Sequence, residues 1–236
     1  DLGVYFTDKI TWFTIGGTII GARLGHVFFY EWPRYKHHLW DILKVWEGGL
    51  ASHGGTIGVF LALYLFYRFS KKEFPEFSLV NLLDMLCIPV AFVAFCIRMG
   101  NFVNQEILGI ATDLPWAVIF GHPYDNSPLI PRHPVQLYEG FTYLAIFILL
   151  FAYWKIKAGN TRPGVIIGLF FIFVFGTRFL FEFLKEPTSL MIDESFLQTG
   201  QLLSIPVILI GFFLLFFGEK MQKRFNSKLN LTPSFK

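Results

Sequence analysis

Three places in this sequence put ionisable or strongly polar side chains inside long apolar runs. An ionised group in hydrocarbon costs about 3 kcal/mol even on lenient insertion scales, so such residues mark a site or a pair. The run FVFGTRFLFEF carries Arg178 and Glu182 four positions apart, hence on one helix face. They fit a mutually neutralising pair, or an anion-binding arginine oriented by its glutamate; spacing leaves both open. The run CIRMGNFVNQEILG collects Arg98, Asn101, Asn104, Gln105 and Glu106 directly after an apolar stretch. An ordinary helix exit needs one or two polar anchors, and Gly100 and Gly109 add freedom for close backbone approach. The run WEGGLASHGGTIGV brackets His53 with Gly48, Gly49, Gly54, Gly55 and Gly58. Glycine-flanked backbone at a helix start can offer free N–H groups to an anionic headgroup and leaves room around the imidazole. The plainer role for His53 is an interfacial anchor.

Further polar groups are weaker signals. PRHPVQLYEG places Arg132, His133, Gln136, Tyr138 and Glu139 where a loop enters an apolar run, with Pro134 suiting a helix start. Arg23 either snorkels to the surface or joins the site, and Asp84 is an acid with no partner at helical spacing. Gly17, Gly21 and Gly25 form a small-residue stripe for close helix packing.

The elements that position these residues follow from composition. Of 236 residues, 54% are hydrophobic and only 16% charged, against about 25% charged in soluble domains. Mean hydropathy is +0.52. Such a chain suits a bilayer, and the expected fold is all-α, a polytopic transmembrane helix bundle forming a single catalytic domain over 1–236. Six spans are expected near 11–30, 50–70, 79–97, 136–153, 163–183 and 199–217. With the loop after the first span on one side, that side holds five basic loop and tail residues (Arg34, Lys36, Lys44, Arg132 and Lys185) and the other eleven, including Lys71, Lys72, Lys228 and Lys236. The richer side reads as cytoplasmic and takes the C-terminus, so the long 98–135 connection faces outward. The net charge of +3 sits in loops and tail without forming a basic face, which argues against nucleic acid. Cys87 and Cys96 show no metal or disulfide spacing and read as two buried apolar thiols. No HExxH motif occurs, and no cleavable signal opens the chain.

Together, ARLGHVFFY (22–30), WEGGLASHGGTIGV (46–59), RMGNFVNQEILG (98–109), RHPVQLYEG (132–140), FGTRFLFEFLKEP (175–187) and GQLLSIP (200–206) resemble the prolipoprotein diacylglyceryl transferase family. They keep the family's order along nearly the whole chain. The resemblance implies transfer of the diacylglyceryl group of phosphatidylglycerol to the lipobox cysteine of a prolipoprotein, forming a thioether and releasing glycerol-1-phosphate. It implies no cofactor and no metal. Its partners would be phosphatidylglycerol and prolipoprotein signal peptides, in the bacterial cytoplasmic membrane with the active site toward the outer leaflet. The family's RxGN arginine falls on Arg98, followed by Asn101, Glu106 and Gly109. The HGG histidine falls on His53, and the helix arginine and its glutamate on Arg178 and Glu182. Family members carry a further N-terminal helix with a tyrosine implicated in activity. A fragment of a seven-helix protein is therefore expected, consistent with the absent initiator Met and the loop count.

In that reaction His53 would serve as base for the thiol, with Arg98 and Arg178 holding the departing phosphate through forked donors. Glu182 would orient Arg178, while Asn101, Glu106, Gly109, Gly54, Gly55 and Tyr138 would position the substrate. The competing class is a transporter or channel for an anionic lipid or solute, which also tolerates intramembrane arginines and glycine-broken helices. That class predicts internal symmetry, and the sequence displays none.

Overall fold

The computed structural model describes residues 2–70, 73, 78–186 and 197–228. All six expected segments are helical: α1 (Leu2–Phe29), then, after the short α2 (Trp32–Tyr35), α3 (Ser52–Ser70), α4 (Leu79–Val103), α5 (Val135–Ile156), α6 (Val165–Phe181) and α7 (Thr199–Lys228). By length and apolarity, four stretches can cross a membrane, against the six expected: Leu79–Val103, Val135–Ile156, Val165–Leu184 and Gly200–Arg224. In α3 the apolar stretch Gly54–Ser70 is shorter, and α1 interleaves Arg23, His26, glycines and threonines with its apolar residues. The chain divides into two compact units, Asp1–Leu82 and Leu83–Lys236.

In the first unit α1 and α3 lie with their backbones nearly touching. Gly17, Gly21 and Gly25 face Gly54, Gly58 and Ala62, so the small-residue stripe is a helix seam. A β-carbon built on Gly25 would stand 2.7 Å from the Gly54 Cα, and one on Gly21 would stand 2.7 Å from the Gly58 Cα. Arg23 does not snorkel: it is buried, and its guanidinium donates to the carbonyls of Ile42 (2.9 Å), Asp41 and Gly48. It thereby gathers the 39–48 segment, with its two short 3₁₀ turns, against α1. Tyr35 sits between two arginines, 5.1 Å from Arg23 and 5.5 Å from Arg34.

The second unit has an apolar core built from Cys87, Ile88 and Ala91 of α4, Tyr143, Ile146 and Leu150 of α5, Ile166, Ile167, Phe170 and Val174 of α6, and Leu214 of α7. Only Cys87 is buried; Cys96 is exposed on α4, because the two lie nine residues apart, two and a half helical turns, and so on opposite faces. Asp84 also finds its role here. Its carboxylate accepts hydrogen bonds from the N–H groups of Gly164 (2.7 Å) and Ile167 (2.8 Å), capping the start of α6 from a neighbouring helix. Gly164 holds φ +88°, and a β-carbon there would meet the Leu214 carbonyl at 2.7 Å, so α6 starts on a glycine against α7.

The connection between α4 and α5 adds two short strands to the expected all-α fold. Val118–Ile119 (β1) pairs antiparallel with Pro131–Arg132 (β2), Val118 opposite Arg132. Single bridges join Ala111 to Arg132 and Gly109 to Lys185. The hydrogen bonds Ile110 N–H to Leu184 O (2.9 Å) and Glu186 N–H to Leu108 O (3.0 Å) stitch this connection to the end of α6. Extended backbone thus satisfies polar groups that a long loop would leave unpaired.

Candidate active site

The end of α4, the start of α5 and the end of α6 meet, and their polar residues form one connected cluster. Arg98, on the last turns of α4, is nearly buried. Its Nε stands 2.9 Å from Glu139 Oε2, and its Nη1 donates to Asn101 Oδ1 at 3.2 Å. Asn101 passes the chain on, donating from Nδ2 to Glu106 Oε2 at 2.9 Å. Asn104 reaches the other Glu106 oxygen at 3.4 Å, and Gln136 of α5 donates to the Glu106 carbonyl at 2.7 Å. The expected residues Arg98, Asn101 and Glu106 therefore form one hydrogen-bonded line.

The backbone at Glu106 is strained. Gln105 and Ile107, on either side, both hold φ of +55°. For a β-branched residue such as Ile107 this is an outlier, and each such residue costs about 1–3 kcal/mol. The cost is offset where neighbours over-determine the conformation. Here the Gln105 side chain accepts from the His122 N–H at 2.6 Å and its carbonyl from the Tyr124 N–H at 3.2 Å. Gly109 lies against His133, where a β-carbon would stand 2.8 Å from the His133 Cβ, and its carbonyl accepts from buried Arg132 at 3.1 Å. Gly109 thus shapes the loop through backbone proximity.

Glu182 does not pair with Arg178. Past Phe181 the helix tightens into a 3₁₀ turn, Glu182–Leu184. Residues three apart eclipse in that geometry, and Glu182 meets Lys185 Nζ at 2.9 Å. The carboxylate also lies on Gly200 of α7, where a β-carbon would collide with it. Arg178 is left half-buried on α6 with no ion pair to any described residue. It remains coupled to the cluster, because the buried Tyr143 phenol of α5 lies within the electrostatic reach of both Arg98 and Arg178. Both guanidinium groups, from separate helices, thus act electrostatically on one phenol. Forked cationic donors in apolar surroundings suit an anionic phosphate ester.

Sequence reasoning gave two members of the cluster no role in the site. Glu139 is fully buried and contacts both Arg98 and Lys185, the latter at 2.9 Å through Oε1. Lys185 is buried as well, although it counted as a loop charge. The one available signal was the spacing of Glu182 and Lys185. Tyr138 accepts from Trp116 Nε1 at 2.7 Å, lies 3.3 Å from His133 Nδ1 and packs on Phe181.

In the first unit, His53 falls in the opening turn of α3, and its side chain lies outside the described residues. Gly54 is taken up by the seam with α1, and Gly55 lies 3.5 Å, as a built β-carbon, from Ala22 Cβ. The Gly55 N–H already donates to the Ala51 carbonyl at 3.0 Å, so it is not the free anion-facing donor expected of it.

Residues 4–217 match the family model described as prolipoprotein diacylglyceryl transferase. Several curated relatives named phosphatidylglycerol–prolipoprotein diacylglyceryl transferase are also similar. The protein of Protochlamydia amoebophila is 48% identical over 95% of this chain, which spans 60% of that relative's length. That of Tolumonas auensis is 43% identical, covering 92% of this chain and 81% of its own length. That of Chloroherpeton thalassium is 48% identical, covering 92% and 78%.

Proposed function

The chain belongs to the prolipoprotein diacylglyceryl transferase family, and from that premise we propose that it transfers the diacylglyceryl group of phosphatidylglycerol to the lipobox cysteine of prolipoproteins. The observation that carries this is a buried arginine, Arg98, held by Glu139 and Asn101 at the end of an apolar helix, with a second, Arg178, half-buried on α6 without an ion pair among the described residues. In the reaction the cysteine thiolate attacks the glycerol carbon that bears the phosphate ester. The S–C bond forms, the C–O bond breaks, and the electron pair leaves on the phosphate oxygen of glycerol-1-phosphate. Negative charge grows on that oxygen in the transition state, where pre-aimed donors give the largest catalytic benefit. Arg98 and Arg178 fill this role, and the Asn101–Glu106 line keeps Arg98 aimed.

The thiol has an ordinary pKa of about 8.5 and needs a base, which we assign to His53 on its glycine-flanked position in the sequence. The imidazole accepts the thiol proton. We take α1 and α3 to cross the membrane as well, as a glycine-sealed pair, which gives six crossings with the cluster toward the outer leaflet of the cytoplasmic membrane and the C-terminus inside. The excess of basic residues on the other side supports this orientation.

The test uses the full-length protein in phosphatidylglycerol-containing vesicles with a lipobox peptide. The expected result is a peptide cysteine heavier by one diacylglyceryl group, with release of glycerol-1-phosphate. An unmodified peptide under conditions where the protein is folded refutes the assignment. His53→Gln should slow transfer most at neutral pH; a rate near that of the parent would reduce His53 to an anchor.

A further inference from the structure

We infer that Glu139 is the positioning residue of this site, fixing the leaving-group arginine Arg98 from its inner edge while holding Lys185 with its other oxygen; the inference rests on the transferase assignment above. Glu139 is fully buried on the second turn of α5, and its two oxygens stand 2.9 Å from Arg98 Nε and 2.9 Å from Lys185 Nζ. Neither contact is aligned as a hydrogen bond, so the carboxylate is held by charge rather than by directed donors. Lys185 is bound on its far side by Glu182 at 2.9 Å. Arg98, Glu139, Lys185 and Glu182 thus make an alternating chain of charges from α4 through α5 to the end of α6.

Which edge of the guanidinium Glu139 takes is the important detail. A carboxylate on the paired Nη atoms would occupy the fork that recognises phosphate. Glu139 instead stands at Nε, and no ion pair from a described residue takes the Nη edge. The position is set by backbone approach. At the next residue, Gly140, a β-carbon would stand 3.3 Å from the Arg98 Cβ and would collide with Met99, so α5 comes close enough for the short Glu139 side chain to reach the inner edge. Asn101 restrains Nη1 from the other side at 3.2 Å. An arginine held at its root and at Nη1 keeps its guanidinium aimed without a carboxylate occupying the Nη edge.

The test compares Glu139→Gln, Glu139→Asp and the double variant Glu139→Gln/Lys185→Met with the parent, all as full-length protein in phosphatidylglycerol vesicles. Parent turnover is established first, so failure of the transferase assignment shows as absent product in the parent itself. Misaiming a catalytic group by about 1 Å costs about 100-fold. Glu139→Gln is therefore expected to lose about 100-fold in kcat with KM for phosphatidylglycerol within about threefold of the parent, and Glu139→Asp to recover much of the loss. The double variant removes both charges and guards against misfolding from a stranded lysine; its kcat stays as low as that of Glu139→Gln. A kcat within about twofold of the parent in Glu139→Gln overturns the inference. So does restoration of kcat in the double variant, which would make Glu139 only the counter-charge of Lys185.

Discussion

Replacing each arginine with alanine should separate chemistry from stability, because the two are held differently. Arg98 is one half of a buried ion pair with Glu139, whereas Arg178 has no ion pair to a described residue. Breaking a buried pair from one side costs about 3–5 kcal/mol, because the remaining charge is left in a low dielectric. Lys185 stays 2.9 Å from Glu139 after Arg98→Ala, so the lower end, about 3 kcal/mol, is expected. At about 2–4 °C per kcal/mol for a chain of this size, the unfolding midpoint should fall by about 6 °C or more. Arg178→Ala strands no carboxylate and removes a charge from an apolar helix, so its midpoint should stay at or above that of the parent. Both variants should lose about 10²–10³ in kcat, the usual cost of deleting one donor to developing negative charge. The measurements are thermal unfolding in detergent and mass-detected peptide modification in phosphatidylglycerol vesicles. Arg178→Ala turning over within about tenfold of the parent refutes the phosphate role. A midpoint loss in Arg178→Ala equal to that of Arg98→Ala shows that it too is structural.

Three other outcomes follow from the geometry. Gly58→Leu should separate α1 from α3, since a β-carbon at this glycine already stands 2.9 Å from the Gly21 Cα, whereas Gly16→Leu, where nothing lies within 4 Å, should be tolerated; cysteine crosslinking between the two helices reads the difference. Asp84→Asn keeps one acceptor oxygen but turns an amide N–H₂ toward a backbone N–H of α6, so stability should drop by about 1–3 kcal/mol, measured by unfolding in mild detergent, with transfer preserved in the molecules that remain folded. In the 39–48 segment, the hydrogen bond from Lys44 holds the Asp41 carboxyl below its ordinary value. Its contribution is present above the unfolded-state pKa and is lost as pH falls through the lowered one. Lys44→Met should return the titration upward toward the ordinary range, as followed by carboxyl carbon resonance.

Much of this protein is legible in its amino-acid order. Apolar runs located every long helix, because hydropathy over twenty residues is a property of local composition. The four-residue glycine spacing announced a seam, and the Arg98–Glu106 motif proved to be one connected line because its members are close in sequence. Tertiary structure decided the partners. Arg178 and Glu182 share the spacing of a helical pair, yet a 3₁₀ turn gives Glu182 to Lys185. Asp84 finds its donors eighty and more residues away, and Glu139 binds Arg98 only because a glycine lets two helices approach. Periodicity describes which face of a helix a side chain shares. It carries no information about which other helix end will face it, and in a low dielectric that meeting determines whether a charge is a counter-ion, a cap or a free site for a phosphate.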